Sequence, residues 1–371
     1  VERSRTGGCP RTEEKSKASA RSRQRRPATS EMVGGVPMDK SSFDVALIPG
    51  MRESLQKVYV EFRKAHLSSD GAELDEVGAF LPGFAFTRTC PICGSDEAKL
   101  LFFTRGMHVV TCALCNLTYS QEVLTKAADR SRYEHSQFMA QYREIKNNEI
   151  YSQLEARKAS YIMVVAEKFA VRKTNMLDIG SSNGHIMSSA TRQGWSAHGI
   201  EVNAELAGES IKKGLNVIHG YFPDDMPDSW VNFDLVTILD VLEHAEQPLA
   251  FLKELSNYLK TGGLAVVQVP NFNSLIVRLE GATNSNFCHG HWSHFESDTL
   301  DRTMEKAGFE KLFSETIISE LDRVLQFDLG QIKATIQDIT GNSLDSINLL
   351  TADYLHQNFL GYKLFSIYRK K

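Results

Sequence analysis

The chain has 371 residues, with 42 Lys and Arg against 46 Asp and Glu, for a net charge of −4. That length accommodates two domains, or one large domain with appendages, and the acidic balance excludes an overall basic field that would attract nucleic acid. An apolar fraction of 42% is ordinary for a globular protein, and no apolar run is long enough to cross a bilayer.

Val1–Pro37 is rich in Arg, Ser, Lys and Gly and has almost no apolar residue, so it cannot offset chain entropy and is expected to be disordered. Glu2, Glu13, Glu14 and Glu31 argue against a transit peptide, and Met32 and Met38 stand just ahead of the first patterned segment, as in an upstream extension. No charged region followed by an apolar one opens the chain, so a cytoplasmic setting is expected. From Ser42 to Leu81, Met51, Leu55, Val58, Tyr59, Phe62 and Leu67 recur at helical spacing, which predicts an amphipathic helix and a connector.

Cys90-Pro-Ile-Cys93-Gly and Cys112-Ala-Leu-Cys115-Asn follow, with 18 residues between the pairs. This is ribbon spacing. Gly94 and Asn116, after the knuckles, are residue types that tolerate positive φ. The stretch between them predicts a hairpin around Arg105-Gly106. Four thiolates close a tetrahedral shell, which suits a structural Zn²⁺ at Cys90, Cys93, Cys112 and Cys115 and leaves no open position for catalysis. Docking of RNA or of a partner on the ribbon is the functional alternative. Cys9 and Cys288 lie outside the pattern and read as free thiols.

Asn175–Glu201 carries a short apolar strand ending on Asp178, a turn through Gly180, Ser181, Ser182, Asn183 and Gly184, a helix, and a second strand ending on Glu201. That order places a nucleoside at the carboxyl ends of two parallel strands. Gly180 permits a tight turn, and Gly184 is expected to open the helix where a larger side chain would block a ligand. Glu201 can accept from both ribose hydroxyls. A third strand covers Leu215–His219, followed by Tyr221-Phe222. Phe233–His244 is an apolar strand that ends on Asp240 and turns into Glu243-His244. A helix over Leu249–Leu259, a strand over Thr261–Pro270, a helix over Thr299–Glu310 and a last strand over Tyr362–Arg369 complete the pattern.

In this order these motifs resemble class I S-adenosylmethionine-dependent methyltransferases, with Ser182 where the family usually has a glycine. The resemblance covers roughly residues 130 to 318 and the last strand. It implies an α/β fold, a Rossmann-like seven-stranded sheet with helices on both faces, and S-adenosylmethionine as cofactor. The implied cofactor contacts are Asp178, Gly180, Ser181, Ser182, Gly184, Glu201, Val202, Tyr221, Phe222 and Asp240. The expected organisation is a tail over 1–40, a helical segment over 41–84, a zinc ribbon over 85–125 and a methyltransferase domain over 126–371, with a helical insertion at about 319–361 that covers the acceptor pocket or forms a dimer face.

Phe287–Phe295 (FCHGHWSHF) falls in the loop that borders the acceptor pocket in this family. His244, His291 and His294 are the candidate bases, each with a structural alternative as a helix brace or packed loop residue. Asp240, Glu243, His244 and His294 also resemble the E-x-x-E-H metal site of some O-methyltransferases, with Asp in the first place. The reading is methylation of a small-molecule or glycan acceptor, at oxygen, without membrane involvement and with a homodimer open. The alternatives are an RNA methyltransferase that uses the ribbon for recognition and a non-catalytic binding protein of the same fold.

Overall fold

The computed structural model describes residues 32–33, 36–37, 39–56, 60, 74–135 and 137–371, without the side chains of 32–37, 134–135 and 137–139. The expected disordered tail over Val1–Pro37, Cys9 and most of the helix expected between Ser42 and Leu81 therefore lie outside the described residues. Within 39–56 the chain forms two 3₁₀ turns, Lys40–Ser42 and Val45–Leu47, each opened by an aspartate whose side chain accepts from the backbone two residues on, and then helix over 51–56.

The cysteine region holds strands β1 (Ala85–Thr87), β2 (Ala98–Thr104), β3 (Met107–Cys112), β4 (Thr118–Ser120) and β5 (Glu122–Leu124). β2 and β3 form the expected hairpin, with Arg105 and Gly106 both at positive φ. Three helices follow: α1 (Lys126–His135), α2 (Gln137–Asn147) and α3 (Glu149–Glu167). The α/β part then runs β6 (Asn175–Ile179), α4 (His185–Arg192), β7 (Ser196–Glu201), α5 (Ala204–Lys212), β8 (Asn216–His219), β9 (Phe233–Leu239), α6 (Pro248–Tyr258) and β10 (Leu259–Pro270). It continues through α7 (Leu275–Glu280), β11 (Ser293–His294), α8 (Ser297–Lys306), β12 (Phe309–Ile317), α9 (Leu321–Val324), α10 (Leu329–Thr340), α11 (Ala352–Gln357) and β13 (Lys363–Lys370).

The central sheet has seven strands in the order β8-β7-β6-β9-β10-β13-β12. The pairs among β8, β7, β6, β9 and β10 are parallel, and β13 runs antiparallel to both of its neighbours. Side chains alternate across such a sheet with period two. Met176, Leu235, Leu264, Val266, Phe365 and Ile367 therefore share one face with α3 and α4 residues such as Ile162 and Ala190. Leu177, Val236, Ala265, Val267, Leu364 and Tyr368 share the other face with Leu252 and Leu255 of α6 and Leu300 and Met304 of α8. Burial on both faces explains the near-continuous apolar runs of β9 and β10. Each fully buried Val, Leu or Ile contributes roughly 1.5–3 kcal/mol.

The ribbon packs on the second of these faces. Cys90, Ile92, Cys112, Leu117 and Tyr119 belong to the same core as the sheet. The ribbon sheet, in the order β11-β4-β3-β2, is completed by β11, a strand from the histidine-rich loop. Between β12 and β13, α10 and α11 bury Ile332, Ile336 and Leu355 against Leu275, Ile276 and Phe287. Among the described residues no helix is long and apolar enough to cross a membrane.

Candidate functional site

The carboxyl ends of the parallel strands open into a cavity of about 1500 Å³. At the end beside Glu201, β6 stops where Gly180 turns with φ +73°, and the amides of Gly180 and Ser181 both donate to Ile200 O, at 2.9 and 3.1 Å. A Cβ on Gly180 would come within 2.6 Å of Val241. Gly184 also has positive φ, +80°, but a Cβ there would strike Leu215 at 2.2 Å and approach Ser210. Its glycine serves close packing of the turn against the α5–β8 connection, which corrects the expectation that it clears space for a ligand. Ser182, where the family pattern has glycine, sits at φ +49°. A left-handed conformation costs a non-glycine residue roughly 1–2 kcal/mol.

Glu201 ends β7 and is buried, 6% exposed. One carboxylate oxygen accepts from Ser182 N at 2.7 Å and the other from Asn203 N at 2.8 Å. Burial raises its pKa, and these two amides partly oppose the rise. Each oxygen keeps a second lone pair, so the diol of a ribose fits without displacing a backbone donor. The hydroxyls of Ser181 and Ser182 are buried without a hydrogen-bond partner, and both residues line the cavity. These orphaned donors and the Glu201 lone pairs are the features a nucleoside cofactor would complete.

Asp178 lines the cavity, but its carboxylate accepts from Thr237 Oγ1 at 2.6 Å and so braces β6 against β9. Burial pushes its pKa up to about 7. Val202, Tyr221 and Phe222 line the same end. Arg130 stacks 4.5 Å from the Tyr221 ring centroid, and Phe222 turns part of its ring into the core against Phe251 and Tyr258. Asp240 lies midway, at φ +55°, held by Lys363 at 2.9 Å and Gln268 at 2.9 Å. Burial would raise its pKa, and the Lys363 ammonium more than offsets this and holds it below the usual range. Lys363 reaches Asp240 because the antiparallel β13 starts opposite Pro270, at the carboxyl end of β10. Sequence reading missed Lys363, and with it Lys146 and Glu155 from α2 and α3, which also line the cavity. No motif marks any of the three. The only available signal was polar residues interrupting apolar faces.

At the far end the structure separates the candidate histidines. His244 and His291 line the cavity with their rings 4.6 Å apart, edge to face, beside Glu243. Burial, with Arg132 adding to it, lowers the His244 pKa to about 4. Glu243 is 1% exposed and neither carboxylate oxygen has a hydrogen-bond partner. His294 does not line the cavity. It pairs with Thr118 in the ribbon sheet, its ring packs on Phe287, and Nε2 stands 3.5 Å from Ser120 Oγ. His289, not singled out from the sequence, points to the hairpin tip, with Nε2 2.6 Å from Arg105 O.

The four cysteine sulfurs lie within 4.8 Å of one another, with Cys90–Cys115 at 3.4 Å and Cys93–Cys112 at 3.5 Å. Tetrahedral Zn–S bonds of about 2.3 Å require sulfurs about 3.8 Å apart, so the cluster fits Zn²⁺ with little movement. The fifth described cysteine, Cys288, is buried and in no disulfide. Arg88 fastens this module to the cavity wall. Its buried guanidinium donates to Ser120 O at 3.1 Å, to Trp292 O at 2.5 Å and to Glu246 O. Trp292 N in turn donates to Glu243 O at 2.8 Å.

The chain is similar to several known proteins. Residues 150–313 match the family described as methyltransferase domain. An uncharacterized protein of Methanocaldococcus jannaschii is 26% identical over 129 residues, which is 34% of this chain, and the match spans 62% of that relative's length. Similar solved structures include the methyltransferase complexed with the Haloferax volcanii Trm112 activator (16% identity, 59% of this chain and 92% of that one, TM-score 0.42). Another is an S-adenosylmethionine-dependent methyltransferase from Clostridium acetobutylicum (10% identity, 62% and 98%, TM-score 0.41). A third is a SAM-dependent methyltransferase from Archaeoglobus fulgidus (17% identity, 58% and 94%, TM-score 0.39). The glycine turn, Glu201 and the Glu243-His244 turn all lie within residues 150–313, the part of the chain that matches the methyltransferase domain family.

Proposed function

We propose that the chain transfers the methyl group of S-adenosylmethionine to a hydroxyl oxygen of a small-molecule or glycan acceptor, with Zn²⁺ held by Cys90, Cys93, Cys112 and Cys115 as a structural ion. The observation that carries this reading is one continuous cavity of about 1500 Å³ from Glu201 to His291, walled by Arg323 and Phe327 beside the insertion helices. That volume exceeds the roughly 300–1,000 Å³ of a single-ligand site, which leaves room for an acceptor beside the nucleoside. Bound S-adenosylmethionine supplies a methyl group already activated by a sulfonium. The protein has then to hold the ribose at Glu201, align the acceptor oxygen and take up its proton near Glu243, His244 and His291. Against RNA as acceptor, the outward residues of the ribbon include the exposed Leu100, Leu101, Phe103 and Leu114 instead of a basic stripe.

The test is calorimetric. Glu201 makes charge-assisted bonds to the ribose, worth roughly 1.5–3 kcal/mol each, so Glu201→Ala should weaken S-adenosylmethionine binding at least about tenfold with the fold retained. Equal affinity in the two proteins would sink the assignment. Transfer of a labelled methyl group to a panel of hydroxylated small molecules and glycans, with RNA alongside, then identifies the acceptor class.

A further inference from the structure

We propose that Glu243, His244 and His291 form a second metal site, open to the cavity, that takes a divalent transition cation of the Zn²⁺, Mn²⁺ or Co²⁺ class. Their ligand atoms lie within 4.8 Å of one another. Ligands held about 2.0–2.2 Å from one ion at tetrahedral angles stand about 3.3–3.6 Å apart, so side-chain rotations that bring these atoms closer by about 1 Å close the shell.

Three further observations point to an ion. Both carboxylate oxygens of Glu243 are buried without a hydrogen-bond partner, and so is Nδ1 of His244. Buried polar atoms are normally satisfied, and a cation would satisfy all three at once. Nδ1 of His291 is 3.0 Å from Asn286 O. A carbonyl only accepts, so Nδ1 carries the proton and Nε2 keeps its lone pair. A backbone carbonyl commonly orients a metal-ligating histidine in this way. Finally, the two nearby cations already have carboxylate partners, Arg132 with Asp129 at 3.0 Å and Lys363 with Asp240 at 2.9 Å.

The ligand set differs from the one the linear pattern suggests. Asp240 is engaged by Lys363 and Gln268, and His294 is built into the ribbon sheet. His291 takes the place of His294 because Trp292 N donates to Glu243 O at 2.8 Å and draws the loop to the turn. Two imidazoles and one carboxylate favour transition cations over Mg²⁺ or Ca²⁺.

Three protein ligands leave coordination positions open. An acceptor hydroxyl bound there loses its proton to solvent more readily. Its oxygen forms the new C–O bond as the C–S bond of the sulfonium breaks with its electron pair going to sulfur, giving a methyl ether, S-adenosylhomocysteine and one proton. This step rests on the hydroxyl transfer proposed above, whereas the metal binding does not.

The experiment titrates Mn²⁺ into full-length protein carrying one zinc and follows free Mn²⁺ by electron paramagnetic resonance, since thiolates select zinc over manganese. We expect one Mn²⁺ bound per chain, with pulsed spectra showing two imidazole nitrogens, and binding at least about tenfold weaker in Glu243→Gln and His291→Ala. Absence of bound Mn²⁺, or bound Mn²⁺ without imidazole coupling, overturns the site. The nitrogen signal comes from the wild type and so decides even if a variant fails to fold. Mn²⁺ binding without S-adenosylmethionine binding would instead remove the methyl-transfer reading and leave the metal site standing.

Discussion

At the end of the cavity proposed for the nucleoside, the turn Gly180–Gly184 and Glu201 come from one continuous stretch and are tied together by bonds from the turn's amides, Ser182 N to the Glu201 carboxylate and Gly180 N to Ile200 O. At the end proposed for the acceptor, Glu243 and His244 follow β9, His291 arrives on the loop before β11, Lys363 opens β13, and Arg88 of the ribbon region binds two of these segments from outside. One end is a local device of the sheet. The other is an assembly that depends on parts far away in sequence, and it should be the more easily broken of the two.

The largest expected effect is at the acceptor end. His291→Ala and His244→Ala should each lower single-turnover methyl transfer by roughly 10²–10⁴-fold, the range over which handling the acceptor proton matters. Cofactor affinity, set by the other end, should stay within about twofold by calorimetry. Equal loss of affinity and turnover would mean the two ends are not separable. Near wild-type rates in both variants would leave alignment alone as the mechanism.

A smaller effect should come through the ribbon. Cys112→Ser should abolish the Zn²⁺ binding proposed for the four thiolates, measured as metal per chain, because a four-ligand site does not survive loss of a thiolate. The ribbon shares its core with the sheet and lends β4 to β11, so the loosening should spread into residues 287–295. Hydrogen exchange should rise over that loop as well as over 85–120, and transfer should slow by about tenfold or more. Protection around Gly180–Glu201 should be unchanged. If exchange rises only within 85–120, the ribbon is an independent module and does not support the acceptor end.

The same contrast explains what could be read in advance. The parallel strands were legible because each is an apolar run bounded by glycine or acid, and the nucleoside end because its residues are consecutive. The cysteine cluster was legible because its spacing closes on itself. The acceptor end was legible only in composition. Three histidines in one loop announced a site, but not that a two-residue strand would carry His294 into the ribbon and leave His291 facing Glu243. Lys363 was invisible for a related reason: its partnership with Asp240 depends on β13 running antiparallel, and strand direction leaves no mark on the residue itself. Ser182 looked like a neutral replacement of glycine because φ cannot be read from a sequence. The structure puts it in the left-handed region.

The smallest effect is one of pH and concerns how the ribbon holds the loop. His294 is 6% exposed, and burial, with Arg88 nearby, lowers its pKa to about 3. In the unfolded chain the value is about 6.5. Between these values the unfolded state binds a proton that the folded state refuses, so stability falls as pH drops below about 6.5, by up to about 1.4 kcal/mol per pH unit from this residue. Above about 6.5 both states are neutral and the contribution is constant. His289, also lowered by burial to about 4, adds the same sign over a narrower window. His294→Gln can keep a polar contact to Ser120 but cannot titrate. Its urea-unfolding free energy should therefore fall less steeply than the wild type's between about pH 6 and 4. Protonation of the cysteine thiolates affects both proteins alike and cancels in the difference. Parallel curves would show that His294 is hydrated in solution and that the β4–β11 junction is looser than its geometry implies. The dependence of the acceptor end on the ribbon would then have to run through Arg88 and the contact between His289 and Arg105 O.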